Sequence, residues 1–114
     1  MKVVSLGRPA IFHIPMKKWD NIEYSQRGKT ISTLVDEFLV ANYHGYTIRG
    51  VSLGKWRLQK GLPVEIESMM EVKASFLGKE RIPKLQKFLS GICRLMKEQC
   101  LYLEMGEQAY LIYP

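Results

Sequence analysis

Cysteine and histidine are scarce in this chain. The two cysteines, Cys93 and Cys100, do not form a Cys-x-x-Cys pair, and nothing around them suggests secretion. Both are expected to be reduced, buried thiols. The two histidines, His13 and His44, are too few for a zinc site, so no metal is expected. No apolar run approaches the roughly 18 residues of a membrane helix. The opening Met1–Leu6 is soon broken by Gly7-Arg8-Pro9 and is too short for a signal peptide, which makes the cytoplasm the expected compartment. No nucleophile motif and no complete nucleotide fingerprint is present. No catalytic residue and no cofactor are therefore assigned, and the expectation leans away from an enzyme.

What is present describes an ordinary globular chain. Its 114 residues suit a single domain, 1–114, with an N-terminal strand and loop over 1–29 and a helix-strands-helix-hairpin body over 30–114. Apolar residues at 46% and charged residues at 25% permit a core without metal or disulfide. The net charge of +6 favours an anionic partner: a nucleotide or phosphate first, nucleic acid or an acidic protein surface second.

Hydrophobic periodicity supplies the elements. Val3–Leu6 and Ala10–Ile14 predict one interrupted strand or two short ones, ended by Pro15. His13 then points to one sheet face, while residues 17–29 are loop-like, with Trp19 folding back onto the domain. Ile31, Leu34, Val35, Phe38 and Leu39 predict a helix from about Thr30 to Tyr43, capped through Thr33 and Asp36 or by Thr30 or Ser32. Short extended pieces follow at 46–48, 51–53 and 56–58, separated by glycines that suggest bulges, turns or close approach of a ligand. Val64 to Phe76 alternates strictly. Ile66, Met70, Val72, Ala74 and Phe76 share one face, and Glu65, Glu67, Met69, Glu71 and Lys73 the other. Ile82, Leu85, Phe88, Leu89, Ile92, Cys93 and Met96 form the stripe of a second helix, about Glu80 to Lys97, with Pro83 in its first turn. Lys84, Lys87 and Arg94 lie opposite. Leu101–Glu104 and Ala109–Tyr113 predict a closing hairpin.

This order fits an α+β, ferredoxin-like or PII-like sandwich: an antiparallel sheet with two helices on one face. The other face, with Met69, Tyr102, Tyr110 and Ile112, is expected to pair with another copy in a homo-oligomer.

Three groups of residues carry possible chemistry. Gly28-Lys29-Thr30 precedes a helix, but Glu23 stands where a phosphate-cradling loop needs its first glycine, so that motif is rejected. Arg27, Lys29 and Thr30 remain a candidate anion site at a helix start. Tyr46, Thr47, Lys55, Trp56 and Arg57 suggest an aromatic and cationic pocket around the glycine turns. Glu65 and Glu67, about 6.6–7 Å apart on one face of a strand, can do acid–base work or pair with Lys55 or Arg57 across the sheet.

The block Gly45-Tyr46-Thr47, Gly54-Lys55-Trp56 and Glu65 or Glu67, with the closing hairpin, resembles small bacterial and phage αβ-sandwich proteins. The resemblance spans residues 31–113 and implies an oligomerising sandwich without an assigned activity. Together these features predict a non-catalytic oligomeric binder of an anionic, nucleotide-like small molecule; in a phage, it would sequester a host immune signal. The alternatives are a small acid–base enzyme using Glu65 or Glu67 at a subunit interface, and a nucleic-acid or protein interaction module.

Overall fold

A computed structural model describes the whole chain except His44, Leu58, Lys79 and Glu80. The first strand, β1 (Arg8–Pro15), runs directly into a one-turn helix, α1 (Met16–Trp19). A 3-10 turn (Ile22–Tyr24) leads to α2 (Ile31–Tyr43). The long strands β2 (Thr47–Trp56) and β3 (Glu65–Phe76) form a hairpin. Then come α3 (Arg81–Leu95) and the short hairpin of β4 (Leu101–Met105) and β5 (Gln108–Ile112). Sheet order is β2-β3-β1-β4-β5, every described pairing antiparallel. This is the split βαβ arrangement of a ferredoxin-like sandwich with a fifth strand added at one edge.

The core lies between the sheet and the paired helices. Ala10, Phe12 and Ile14 of β1 and Val72, Ala74 and Phe76 of β3 point into it, as strand alternation requires. Val35 and Leu39 of α2 and Leu85, Leu89, Ile92 and Cys93 of α3 close it from above. Phe38 and Phe88 stack between the helices with centroids 3.9 Å apart and planes 2° from parallel. Trp19 folds back against the core, as its size predicts.

Several expectations change. Val3–Leu6 forms no strand and is exposed. Register explains this: Arg8 opposite Phe76 is the last pair with β3, so earlier residues have no strand beside them. Met16–Trp19 and Ile22–Tyr24 are helical where loop was expected from residue 17, and Lys18 anchors this segment: its ammonium donates to the Met96 carbonyl (2.8 Å) and pairs with Glu98 (2.8 Å). That contact places a cation at the C-terminal end of α3, where the helix dipole favours one. Thr30 is the cap of α2, its hydroxyl accepting from the Thr33 amide at 3.4 Å. The pieces expected at 46–48, 51–53 and 56–58 merge into one strand, Thr47–Trp56, with a bulge between Ile48 and Gly50; Gly50 takes φ +119, which a side chain would strain. Leu58, expected in the last piece, and Glu80, expected to begin the second helix, lie outside the described residues. Tyr110 and Ile112 stand opposite Leu103 and Leu101 and pack on the core side, so Leu111 rather than they faces the open sheet surface.

A candidate active-site cleft on the open sheet face

The sheet face away from the helices is polar and partly enclosed. His13, at the middle of β1, stands opposite Glu71 of β3, with its Nε2 3.4 Å from Glu71 Oε2. The His13 ring stacks on Tyr102 at 5.2 Å. Glu71 also accepts the Ser52 hydroxyl (2.7 Å) and pairs with Arg49 (3.3 Å). The Ser52 bond, more than Arg49 or His13, holds the Glu71 carboxyl below the ordinary carboxylate range, against the upward pull of burial. Tyr102 donates to Glu104 Oε1 (2.8 Å), and that bond, with burial, raises the phenol's pKa. This network fixes one side of the face.

Beyond it lies a cavity of 530 Å³, lined by Trp56, Glu65, Glu67, Met69, Cys100 and Tyr102 among others. Three registers build it. Ser52 stands opposite Met69, Gly54 opposite Glu67, and Trp56 opposite Glu65. Gly54 is glycine because the Trp56 ring lies over it, in the space a β-carbon would need. Met69 was expected on a bare face; it is on that face but only 6% exposed. Glu67 is enclosed as well. Its Oε1 is buried without a hydrogen bond, and Lys17 Nζ, on a largely exposed side chain, stands 3.5 Å away. Lys17 is thus the ion-pair partner of that same buried oxygen, so Glu67 is a carboxylate shielded from water that carries only a loose pairing.

The structure gathers only part of the expected site. Trp56, Arg57, Glu65 and Glu67 do line one cavity. Lys55 borders it, but lies opposite Ile66 on the helix side of the sheet, so it does not pair with the glutamates. Among the described residues neither Lys55 nor Arg57 forms an ion pair with them. Tyr46 and Thr47 are elsewhere. An extended strand of ten residues separates Thr47 from Trp56 by about 30 Å. They line a different, cationic hollow of 520 Å³ with Arg49, Lys73 and Arg81. Arg27, Lys29 and Thr30 line neither. Arg27 and Gly28 form a tight turn with φ of 52° and 77°. Lys29 pairs with Glu37 at 2.8 Å, and Thr30 caps α2. Among the residues at the cleft that were not expected there are His13, Lys17 (through its contact with Glu67), Tyr102 and Cys100. Alternation signalled the first and third; α1 and the Lys18 anchor bring in the other two. Cys100 is half-buried in the cavity wall rather than in the core, whereas Cys93 is buried as expected.

Two solved structures share this fold over the whole chain. They belong to the class of small phage enzymes. One is a phage SAM lyase in complex with S-methyl-5'-thioadenosine, which superposes with a TM-score of 0.68 at 14% identity, covering 100% of this chain and 95% of that one. The other is a phage SAM lyase in the apo state, with a TM-score of 0.65, 15% identity and the same coverage. No protein-family model and no curated protein matches the chain. The expected non-catalytic binder of an anionic nucleotide, with its leaning away from an enzyme, therefore gives way. The fold is shared with an enzyme, and the acid–base alternative is the reading that agrees with it. The resemblance to small phage and bacterial proteins is supported only loosely, through this phage fold. Among the described residues no helix is long and apolar enough to cross a membrane.

Proposed function

We propose that this chain is a small lyase acting on a sulfonium nucleoside of the S-adenosylmethionine class, with Glu67 as its principal acidic group. The observation that carries the reading is the enclosed Glu67 carboxylate, beside Gly54 and the overlying Trp56, in the cavity of a fold shared with a phage SAM lyase.

The chemistry suits the lining. A sulfonium is a cation, and the carboxylates Glu65, Glu67 and Glu98 in the lining can face it, beside the cations Lys55 and Arg57. Cleavage hands the C–S bonding pair to sulfur, which becomes a neutral thioether. The carbon left behind gains its new bond from within its own fragment, without added water, as a lyase reaction requires. Where that bond comes from a neighbouring C–H pair, the proton passes to Glu67. Because charge is lost as the bond breaks, walls such as Met69 and the Trp56 ring favour the step by keeping water out. Arg57, on the rim, supplies a cation for the carboxylate end of an amino-acid substituent.

The working unit is a homo-oligomer. On the helix side, β2 and β3 extend beyond the cover of α2, leaving Val51, Leu53 and Ile66 at 58%, 64% and 60% exposure. Contiguous exposed apolar surface of this kind supports association of copies, and the hairpin that carries it also carries Trp56 and Glu65.

Incubation with S-adenosylmethionine, followed by mass spectrometry, tests the reading. Release of S-methyl-5'-thioadenosine is expected, falling at least about 100-fold in Glu67→Gln. Full recovery of intact substrate from the unaltered chain would overturn it, and the mass of the carbon fragment reports how its new bond formed.

A further inference from the structure

The outer surface of the helix layer carries a groove that the cleft chemistry leaves unused. It lies between α2 and α3 and has a volume of 730 Å³. Leu34, Phe38 and Phe88, each half-buried, give it an apolar floor. Lys84, Lys87 and Arg94 border it, all exposed, and with Gly91 they follow one stripe of α3 at helical spacing. None of these three cations has an ion-pair partner among the described residues. The acids of α2 are engaged elsewhere: Asp36 accepts from the Tyr46 hydroxyl at 2.9 Å, and Glu37 pairs with Lys29. Gly91 leaves the groove open, with nothing within 4 Å of where a side chain would begin.

Ring geometry discriminates between polyanions. A nucleic-acid base binds by stacking on a free ring face. Phe38 and Phe88 each cover one face of the other in their stacked pair, which halves the ring surface left for a base. An amphipathic helix has no such need. Its apolar residues seat on the floor and its acids meet the cationic stripe.

We propose that this groove docks an acidic amphipathic helix of another protein, independently of the cleft. Such a helix would lie between α2 and α3, with leucine-type side chains on Leu34, Phe38 and Phe88 and carboxylates along Lys84, Lys87 and Arg94.

The test uses the full chain and a fluorescent synthetic helix of about five turns, with leucines along one stripe and glutamates on one flank. Anisotropy should show saturable binding. The double charge reversal Lys84→Glu/Lys87→Glu should weaken it at least about tenfold. Gly91→Leu, which fills the groove while favouring helix, should abolish it with circular dichroism unchanged. Glu67→Gln should bind the peptide as the parent chain does, which separates this outcome from that of the cleft reading. Absence of saturable binding, full binding by Gly91→Leu, or tighter binding of an oligothymidylate of equal charge would each overturn the proposal. So would a mass increase without peptide that Gly91→Leu removes, since that identifies a second copy as the occupant.

Discussion

Single side chains decide the character of the cleft. Gly54 and Trp56 form a unit in which the missing β-carbon makes room for the indole. Gly54→Ala is expected to displace the ring and destabilise the chain by about 1–3 kcal/mol, seen as a shifted tryptophan emission and a lower urea midpoint. Glu71 gives a pH signature. Its pKa is depressed in the folded state, chiefly by Ser52, so its stabilising contribution is present above the ordinary carboxyl pKa and is lost as pH falls through the folded value. Ser52→Ala should therefore be less stable than the parent at neutral pH, and the two should converge on acidification, as urea unfolding between about pH 7 and pH 3 will read. The cysteines differ as well. Burial, foremost, pushes the Cys93 thiol up to about 11. A disulfide reagent near neutral pH should label half-buried Cys100 slowly and leave Cys93 untouched until the chain unfolds.

Elements act through their contacts with one another. Phe38 and Phe88 join α2 to α3 by a parallel ring stack above the sheet. A double-mutant cycle with Phe38→Leu and Phe88→Leu should give a coupling of about 0.5–1.5 kcal/mol by denaturant unfolding. Coupling near zero would mean the helices are joined by the buried aliphatic residues alone. The short α1 has a different task. Its Lys18 holds the end of α3 and Glu98, and the neighbouring Lys17 reaches towards Glu67. Four residues contain too little periodicity to announce a helix, which is why this segment reads as loop in one dimension.

At the scale of the molecule, the long β2–β3 hairpin extends the shape to 52 × 35 × 25 Å. The radius of gyration of 14.6 Å exceeds the roughly 13 Å typical of a compact chain this long. The apolar side of that hairpin is the proposed contact between copies. Leu53→Lys with Ile66→Lys should shift the light-scattering mass from oligomer to monomer, and lyase turnover should fall with it if the cleft needs the neighbouring copy. An unchanged mass would assign the exposed apolar residues to some other partner.

The sequence by itself determined the layered plan. Period-two alternation in Val64–Phe76 and helical spacing in 31–43 and 82–96 specify which faces are apolar, and burial of those faces leaves few arrangements. Alternation also put Glu65 and Glu67 on one face of a strand, where the register has them opposite Trp56 and Gly54. Tertiary structure decided everything that depends on register and distance. Tyr46 and Thr47 part from Trp56 because the glycine-punctuated segment extends as one strand instead of folding back. Lys55 falls on the wrong face to neutralise Glu67 because directly paired residues share a side, and its partner is Ile66. His13, Glu71 and Tyr102 meet only because β1 lies between β3 and β4. Overall charge pointed to an anionic ligand, yet the cleft lining mixes Glu65, Glu67 and Glu98 with Lys55 and Arg57, since a net charge sums over the whole surface while a ligand meets only the few groups that the fold brings together.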